Sequence, residues 1–233
     1  TVEYVKGVER LCRKYGALLV FDEVVTGFRI GMAGAQGYFG VSPDLTIFGK
    51  VIAGGYPGAG GIGGKREYMK YLGAGLDSSG KKIHKALVGG TMTANPLSCC
   101  AGYFTLEEIE RTNACQKAGQ MGDRICAGLK ELVKKHGLPF VVWNTGSICH
   151  LETVGTMHYQ INWKKPWEIP AILGETGIRQ KEMEHMGAAY MAEGLVTLAG
   201  SRLYTSAAYT PKMIDQALAC FDRVFENVAV KAD

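Results

Sequence analysis

The sequence predicts an α/β domain followed by a smaller α+β lobe, and three patterns carry that prediction. Two short apolar runs, Leu18-Leu19-Val20-Phe21 and Leu45-Thr46-Ile47-Phe48, each give way to chemistry-bearing residues, Asp22-Glu23 after the first and Gly49-Lys50 after the second. Helical periodicity precedes the first run and returns from about residue 95. Beyond about residue 112 the pattern changes to closely spaced strand-like segments and helices, which sets a boundary between 1–111 and 112–233. A chain of 233 residues with 47% apolar content is long enough for a sizeable core.

In chain order, Val5, Val8, Leu11 and Cys12 repeat at the spacing of an amphipathic helix over 2–15, and Gly16 ends it. The run 17–21 reads as a strand buried on both faces. Two carboxylates at its end are costly unless something positive meets them, and in an open α/β sheet that end is where ligands sit. The run 45–48 reads the same way, with Lys50 in the place of Asp22. Glycines then crowd between 54 and 64, in a spacing that matches neither a P-loop nor a dinucleotide fingerprint. Residues 73–90 read as a loop. Helices are predicted from about 95 to 111 and from 114 to 136, the second stopped by Gly137-Leu138-Pro139. A strand pair turns at Asn144-Thr145-Gly146, followed by a helix over 178–192, a strand over 195–198 and a closing helix from Pro211 to about 228.

Composition excludes several classes. The net charge is +4 and the lysine pairs at 81–82, 134–135 and 164–165 are scattered, the pattern of solvated positions and not of a nucleic-acid footprint. No apolar stretch is long enough for a membrane span, and the start, Thr1-Val2-Glu3-Tyr4, has no apolar signal core. Seven cysteines without a CxxC pair suggest free, mostly buried thiols in a reducing compartment, so a cytoplasmic protein is expected. The five histidines show no metal-ligand spacing. Trp143, Trp163 and Trp167 read as packing residues.

Four blocks then resemble one family. Asp22-Glu23-Val24-Val25-Thr26-Gly27-Phe28-Arg29 is followed by Gly34-Ala35-Gln36-Gly37-Tyr38-Phe39-Gly40-Val41, by Phe48-Gly49-Lys50, and by Gly89-Gly90-Thr91-Met92-Thr93-Ala94-Asn95-Pro96. In this order, with 28 residues from Asp22 to Lys50 and 41 from Lys50 to Thr91, they resemble the class III pyridoxal-phosphate-dependent aminotransferases, in wording nearest the glutamate-1-semialdehyde aminomutase branch. The resemblance implies part of the large domain of a fold-type I transferase plus its small C-terminal domain. It implies pyridoxal 5′-phosphate as cofactor, Lys50 as the Schiff-base lysine, Asp22 against the ring nitrogen and Val24 on one ring face. Gly90 and Thr91 would contact the phosphate of a neighbouring subunit, which requires a homodimer or larger assembly. Chemistry agrees: a carboxylate beside a ring nitrogen keeps it protonated, an amine can shuttle a proton, and a hydroxyl with an amide suits a phosphate. Glu23 would support the ring environment, and Arg29 would act as a structural ion-pair partner.

The family's chains are about twice this length, so the resemblance implies an N-terminal polypeptide that supplies a phosphate-binding turn, a stacked aromatic ring and much of the substrate pocket. Two departures bear on substrate. The 22 positions from Met69 to Thr91 exceed the aminomutase spacing, and 198–203 lacks the glutamate that the aminomutase turns toward its substrate. The expected activity is transfer of an amino group from an amine or amino acid to a carbonyl acceptor. An aminomutase-type isomerisation, or a subunit inactive without its N-terminal half, remains the alternative.

Overall fold

The computed structural model describes residues 1–73, 75–153, 165, 167 and 169–229. It divides into two compact units, Thr1–Cys115 and Gln116–Asp233.

The first unit opens with α1 (Val2–Tyr15), capped at one end by the Thr1 hydroxyl on the Tyr4 amide and at the other by Gly16 in the left-handed region at φ 64°. Strands β1 (Val20–Asp22) and β2 (Leu45–Phe48) are parallel, with Val20 opposite Leu45 and Asp22 opposite Ile47. Between them lies the short helix α2 (Gly34–Phe39). Strand β3 (Gly61–Gly64) lies antiparallel to β2, giving the order β1-β2-β3. β1 is thus an edge strand, and among the described residues nothing pairs with its outer side. A single-turn 3-10 helix at Lys50–Ala53 follows β2, and the short α3 (Arg66–Met69) follows β3. Helix α4 (Pro96–Thr112) starts at Asn95, whose side chain accepts the Ser98 amide, with Pro96 in the first turn, where it forfeits no internal bond.

One carboxylate ties the end of α1, the approach to β1 and the residue after β3 together. Asp44, just before β2, is 1% exposed and accepts from the Leu19 amide at 2.8 Å, Arg13 Nη1 of α1 at 2.6 Å and Lys65 Nζ at 2.7 Å. These donors hold its carboxyl far below the ordinary carboxylate range, the Lys65 bond contributing most.

The second unit is built around the antiparallel sheet β4 (Val141–Thr145), β5 (Ile148–Glu152) and β6 (Arg202–Tyr204), in that order. Helices α5 (Ala114–Lys135), α6 (Ile169–Ala192) and α7 (Pro211–Ala229) supply the rest of one core. Leu129, Leu151, Tyr190, Phe221 and Phe225 lie at its centre. Gly122 of α5 has no room for a side chain, since a Cβ there would stand 2.3 Å from the Gly146 carbonyl in the β4–β5 turn. Among the described residues no helix is long and apolar enough to cross a membrane.

Several expectations are corrected. β1 and β2 are not buried on both faces: Val20, Ile47 and Ile62 line one face and are 45%, 40% and 40% exposed, while Thr46 on the other is buried. The glycine-dense stretch contains a strand, β3, where repeated Gly lets the chain run close to β2. The strand expected at 195–198 is not a ladder strand: Leu198 forms an isolated bridge with Arg202, and the ladder strand is β6. The reversal between them uses Ala199 and Gly200 at φ 52° and 70°, with Gly200 pressed on the Met183 carbonyl of α6. All seven cysteines are free, but only Cys126 and Cys149 are buried. Trp143 stacks on His150 at 3.9 Å, Trp167 is exposed, and Trp163 and Lys164 lie outside the described residues.

Candidate active site at the strand ends

The carboxyl ends of β1 and β2 bring three of the expected residues together. Asp22 closes β1 opposite Ile47, and the Glu23 amide adds a last rung by donating to the Ile47 carbonyl at 2.9 Å. Lys50 follows directly, beyond Phe48 and Gly49. The Val24 side chain crosses from one strand end to the other, for a Cβ on Gly49 would meet its Cγ1 at 3.2 Å. Gly49 therefore leaves the space in which Val24 lies. Asp22 is exposed, contrary to the buried carboxylate expected, and among the described residues its side chain accepts only the Val24 amide, on Oδ1 at 2.9 Å. The Lys50 side chain is exposed too, with no hydrogen bond or ion pair among the described residues. Its backbone stands at φ 48°, a left-handed conformation that costs a non-glycine residue about 1–2 kcal/mol. Such strain persists only where the surroundings impose it.

The second carboxylate of the pair has a different task. Glu23 is 1% exposed and accepts from the Ala35 and Gln36 amides at 2.9 Å each and from the Thr26 hydroxyl. Among the described residues, backbone amides and a hydroxyl meet this buried carboxyl group. A Cβ on Gly34 would collide with the same carboxylate at 2.6 Å, so a glycine is required there on space as well as on its φ of 57°. Glu23 thus closes the loop 24–33 that carries Val24, Thr26 and Arg29.

Gly90 and Thr91 are exposed at the start of a turn closed by the Thr93 amide on the Gly90 carbonyl at 2.9 Å. Asn95 steadies it by donating to the Met92 carbonyl at 3.2 Å. The turn is docked on the loop that follows Lys50, since a Cβ on Gly58 would stand 3.0 Å from Met92 Cβ. Ser98, a turn into α4, donates to the Pro57 carbonyl at 2.7 Å. Reading the sequence missed Asp44, Ser98 and the buried state of Glu23. Asp44 had one legible signal, a carboxylate placed immediately before a strand. Apart from the Thr26 hydroxyl three residues beyond Glu23, the contacts described for the other two join residues 12 to 41 positions apart and leave no local pattern.

Comparison with known proteins identifies the family of the chain. The family model for aminotransferase class III matches residues 1–199, and the chain belongs to that family. Among curated relatives it is 38% identical over 223 residues to glutamate-1-semialdehyde 2,1-aminomutase 2 of Shouchella clausii, covering 93% of this chain and 46% of that protein. It is 40% identical over 147 residues to the glutamate-1-semialdehyde 2,1-aminomutase of Legionella pneumophila (strain Paris), covering 63% of this chain and 32% of that protein. The chain thus spans half or less of the length of these relatives. In fold it matches an omega-transaminase from Sphaerobacter thermophilus (TM-score 0.75, 23% identity, 97% of this chain and 48% of that one). A β-phenylalanine aminotransferase from Variovorax paradoxus gives a TM-score of 0.76 at 20% identity, over 99% of this chain and 49% of that one. The fold is accordingly that of a fold-type I transferase, in part, with its small domain.

Proposed function

We propose that this chain is the lysine-bearing half of a pyridoxal-phosphate-dependent aminotransferase that moves an amino group from an amine or amino acid to a carbonyl acceptor. The observation that carries the reading is the delivery of Asp22 and Lys50 to one edge of β1 and β2, with Val24 lying across Gly49 between the two strand ends. The residues fit the cofactor. Asp22 has carboxylate capacity left beyond the Val24 amide, Lys50 is unpaired among the described residues, and Val24 offers an apolar surface beside both.

When bound, pyridoxal phosphate supplies the electron sink that stabilises negative charge at the substrate Cα. Asp22 holds a proton on the ring nitrogen by placing its negative charge there. Lys50 Nζ would hold the cofactor and, as a flexible amine following a strand end, could take up the proton that leaves the substrate Cα. Val24 excludes water from one ring face. The Thr91 hydroxyl and Gly90 amide would hold the phosphate of a neighbouring subunit's cofactor, so the reading calls for at least a dimer.

The exposed face formed by Val20, Ile47 and Ile62 supports a further polypeptide, N-terminal in origin, that covers the sheet and completes the substrate pocket. Free cysteines throughout suit a reducing, cytoplasmic setting. Borohydride reduction of the assembled protein with pyridoxal phosphate is expected to fix the pyridoxyl group on Lys50. A peptide map placing it on another lysine refutes the assignment.

The second reading, an aminomutase-type isomerisation, is favoured by the names of the relatives at 38–40% identity. Against it stands the segment Ser201-Arg202-Leu203, which has no carboxylate. Dependence of turnover on a 2-oxo acid separates the two, since an isomerisation needs no second substrate.

A further inference from the structure

We propose that Gly102 and Ser98 of α4 are positioning residues for Lys50, holding the 3-10 turn against the helix so that the amine is presented in one place. The inference rests on the assignment of Lys50 as the cofactor-linked lysine. Its basis is the contact between α4 and the turn Lys50–Ala53. A Cβ on Gly102 would stand 2.0 Å from the Ile52 carbonyl oxygen and 3.0 Å from its carbon. Gly54 meets the helix in return: at φ 59°, a Cβ there would stand 2.5 Å from the carbonyl of Ala101. The two backbones approach each other at adjacent helix positions, Gly102 making room for the Ile52 carbonyl and Gly54 for the Ala101 carbonyl. Backbone atoms cannot swing aside as the end of a side chain can, so a methyl group at position 102 must displace the turn or the helix.

Ser98 lies one helical turn before Gly102 on the same face and is itself buried. Its hydroxyl donates to the Pro57 carbonyl, so the far end of the segment that begins at Lys50 is fastened to the same helix. The near end is fixed by β2, whose last rung to β3 pairs Phe48 with Gly61. Lys50 is strung between these anchors with its backbone in the left-handed region, a conformation the turn would leave if released. Because α4 also begins at the Asn95 cap that steadies the Gly90–Thr91 turn, one helix sets both the lysine and the expected phosphate donors.

The test uses the assembled apoenzyme, with pyridoxal phosphate added back. Two quantities are read: the rate at which the absorption band of lysine-bound cofactor appears, and the pH midpoint of its colour change. Gly102→Ala is expected to slow band formation by roughly tenfold to a hundredfold, the range for a reacting group misplaced by about 1 Å, and to move the midpoint. Ser98→Ala is expected to slow it by about three- to tenfold, for one lost hydrogen bond. Gly7→Ala is the matched control, because a Cβ there meets nothing nearer than Arg10 Nη2 at 3.7 Å; it should behave as the unaltered protein. A folded Gly102→Ala protein with unaltered rate and midpoint overturns the proposal. Should Gly102→Ala fail to fold, Ser98→Ala decides, and an unaltered rate and midpoint there overturn it as well. Borohydride mapping of the unaltered protein separates the two ideas. A label away from Lys50 removes the underlying assignment, whereas a label on Lys50 beside unaffected variants removes the positioning role alone.

Discussion

Replacing Asp44 by asparagine keeps the shape of the side chain and removes its charge. The carboxylate is buried and receives one amide, one guanidinium and one ammonium, each within 2.6–2.8 Å. Hydrogen bonds to a charged group are worth about 1.5–3 kcal/mol each, and breaking a buried pair costs about 3–5. Arg13 and Lys65 are 41% and 40% exposed, however, and can recover hydration once the carboxylate is gone. That discount brings the expected loss to about 2–3 kcal/mol. Urea unfolding of the assembled protein at neutral pH should show it. Hydrogen exchange offers a local reading: the Leu19 amide, bonded to Asp44, should open about 30–150 times more often, the same free energy converted. The pH dependence adds a second signature. The folded-state pKa lies below the unfolded value of about 3.9, so the stabilisation is complete above about pH 5. It then drains as the pH falls below about 4 toward the folded-state value, and the gap between native and variant should narrow over that range. A loss under about 0.5 kcal/mol at pH 7, within the scatter of ordinary surface changes, or a gap unaffected by acid, would refute the view that Asp44 joins α1 to the sheet.

Asp22→Asn should retain the cofactor but transfer amino groups slower by on the order of 10² or more, and near-normal turnover would assign the ring-nitrogen role elsewhere. Thr91→Ala should weaken cofactor retention by about one to two decades, for one charge-assisted hydrogen bond. In a mixed dimer of Lys50→Ala and Thr91→Ala subunits, one fully active site is expected if Thr91 acts across the interface; two impaired sites would show that it serves its own subunit. Glu23→Ala strands the Ala35 and Gln36 amides and the Thr26 hydroxyl, so a stability loss of about 2–4 kcal/mol is expected in thermal unfolding; a loss confined to activity would show that Glu23 serves chemistry and not the loop.

Elements set by local rules were legible in the sequence. α1 has its cap, amphipathic stripe and terminal glycine within one stretch, and its bounds agree with the predicted 2–15. α4, α5 and α7 are framed by Asn95-Pro96, Gly137 and Pro211 and lie within two residues of expectation. The strand ends were legible because charge after an apolar run has few explanations. What the sequence concealed depends on contacts at a distance. The Ile52 carbonyl against Gly102, the Arg13 bond to Asp44 and the Glu23 bonds to α2 each join residues too far apart to leave a periodic trace. β3 was hidden for another reason: a strand of Gly-Ile-Gly-Gly has almost no side chains with which to announce a pattern.

β1 stands at the edge of its sheet, and an edge strand accepts any extended segment of suitable length. Its outer row of amides and carbonyls carries no address, so a second copy of this chain can pair there as readily as any other extended segment. The same strand ends in Asp22, and whatever pairs along that edge also sets the strand's twist and the direction of the carboxylate. On the proposed assignment of Asp22, assembly and cofactor capture would therefore be read from one backbone edge. On the proposed reading of Lys50, a mispaired molecule would also fail to take up the cofactor, so the colour of the bound cofactor would report on assembly before any substrate is added.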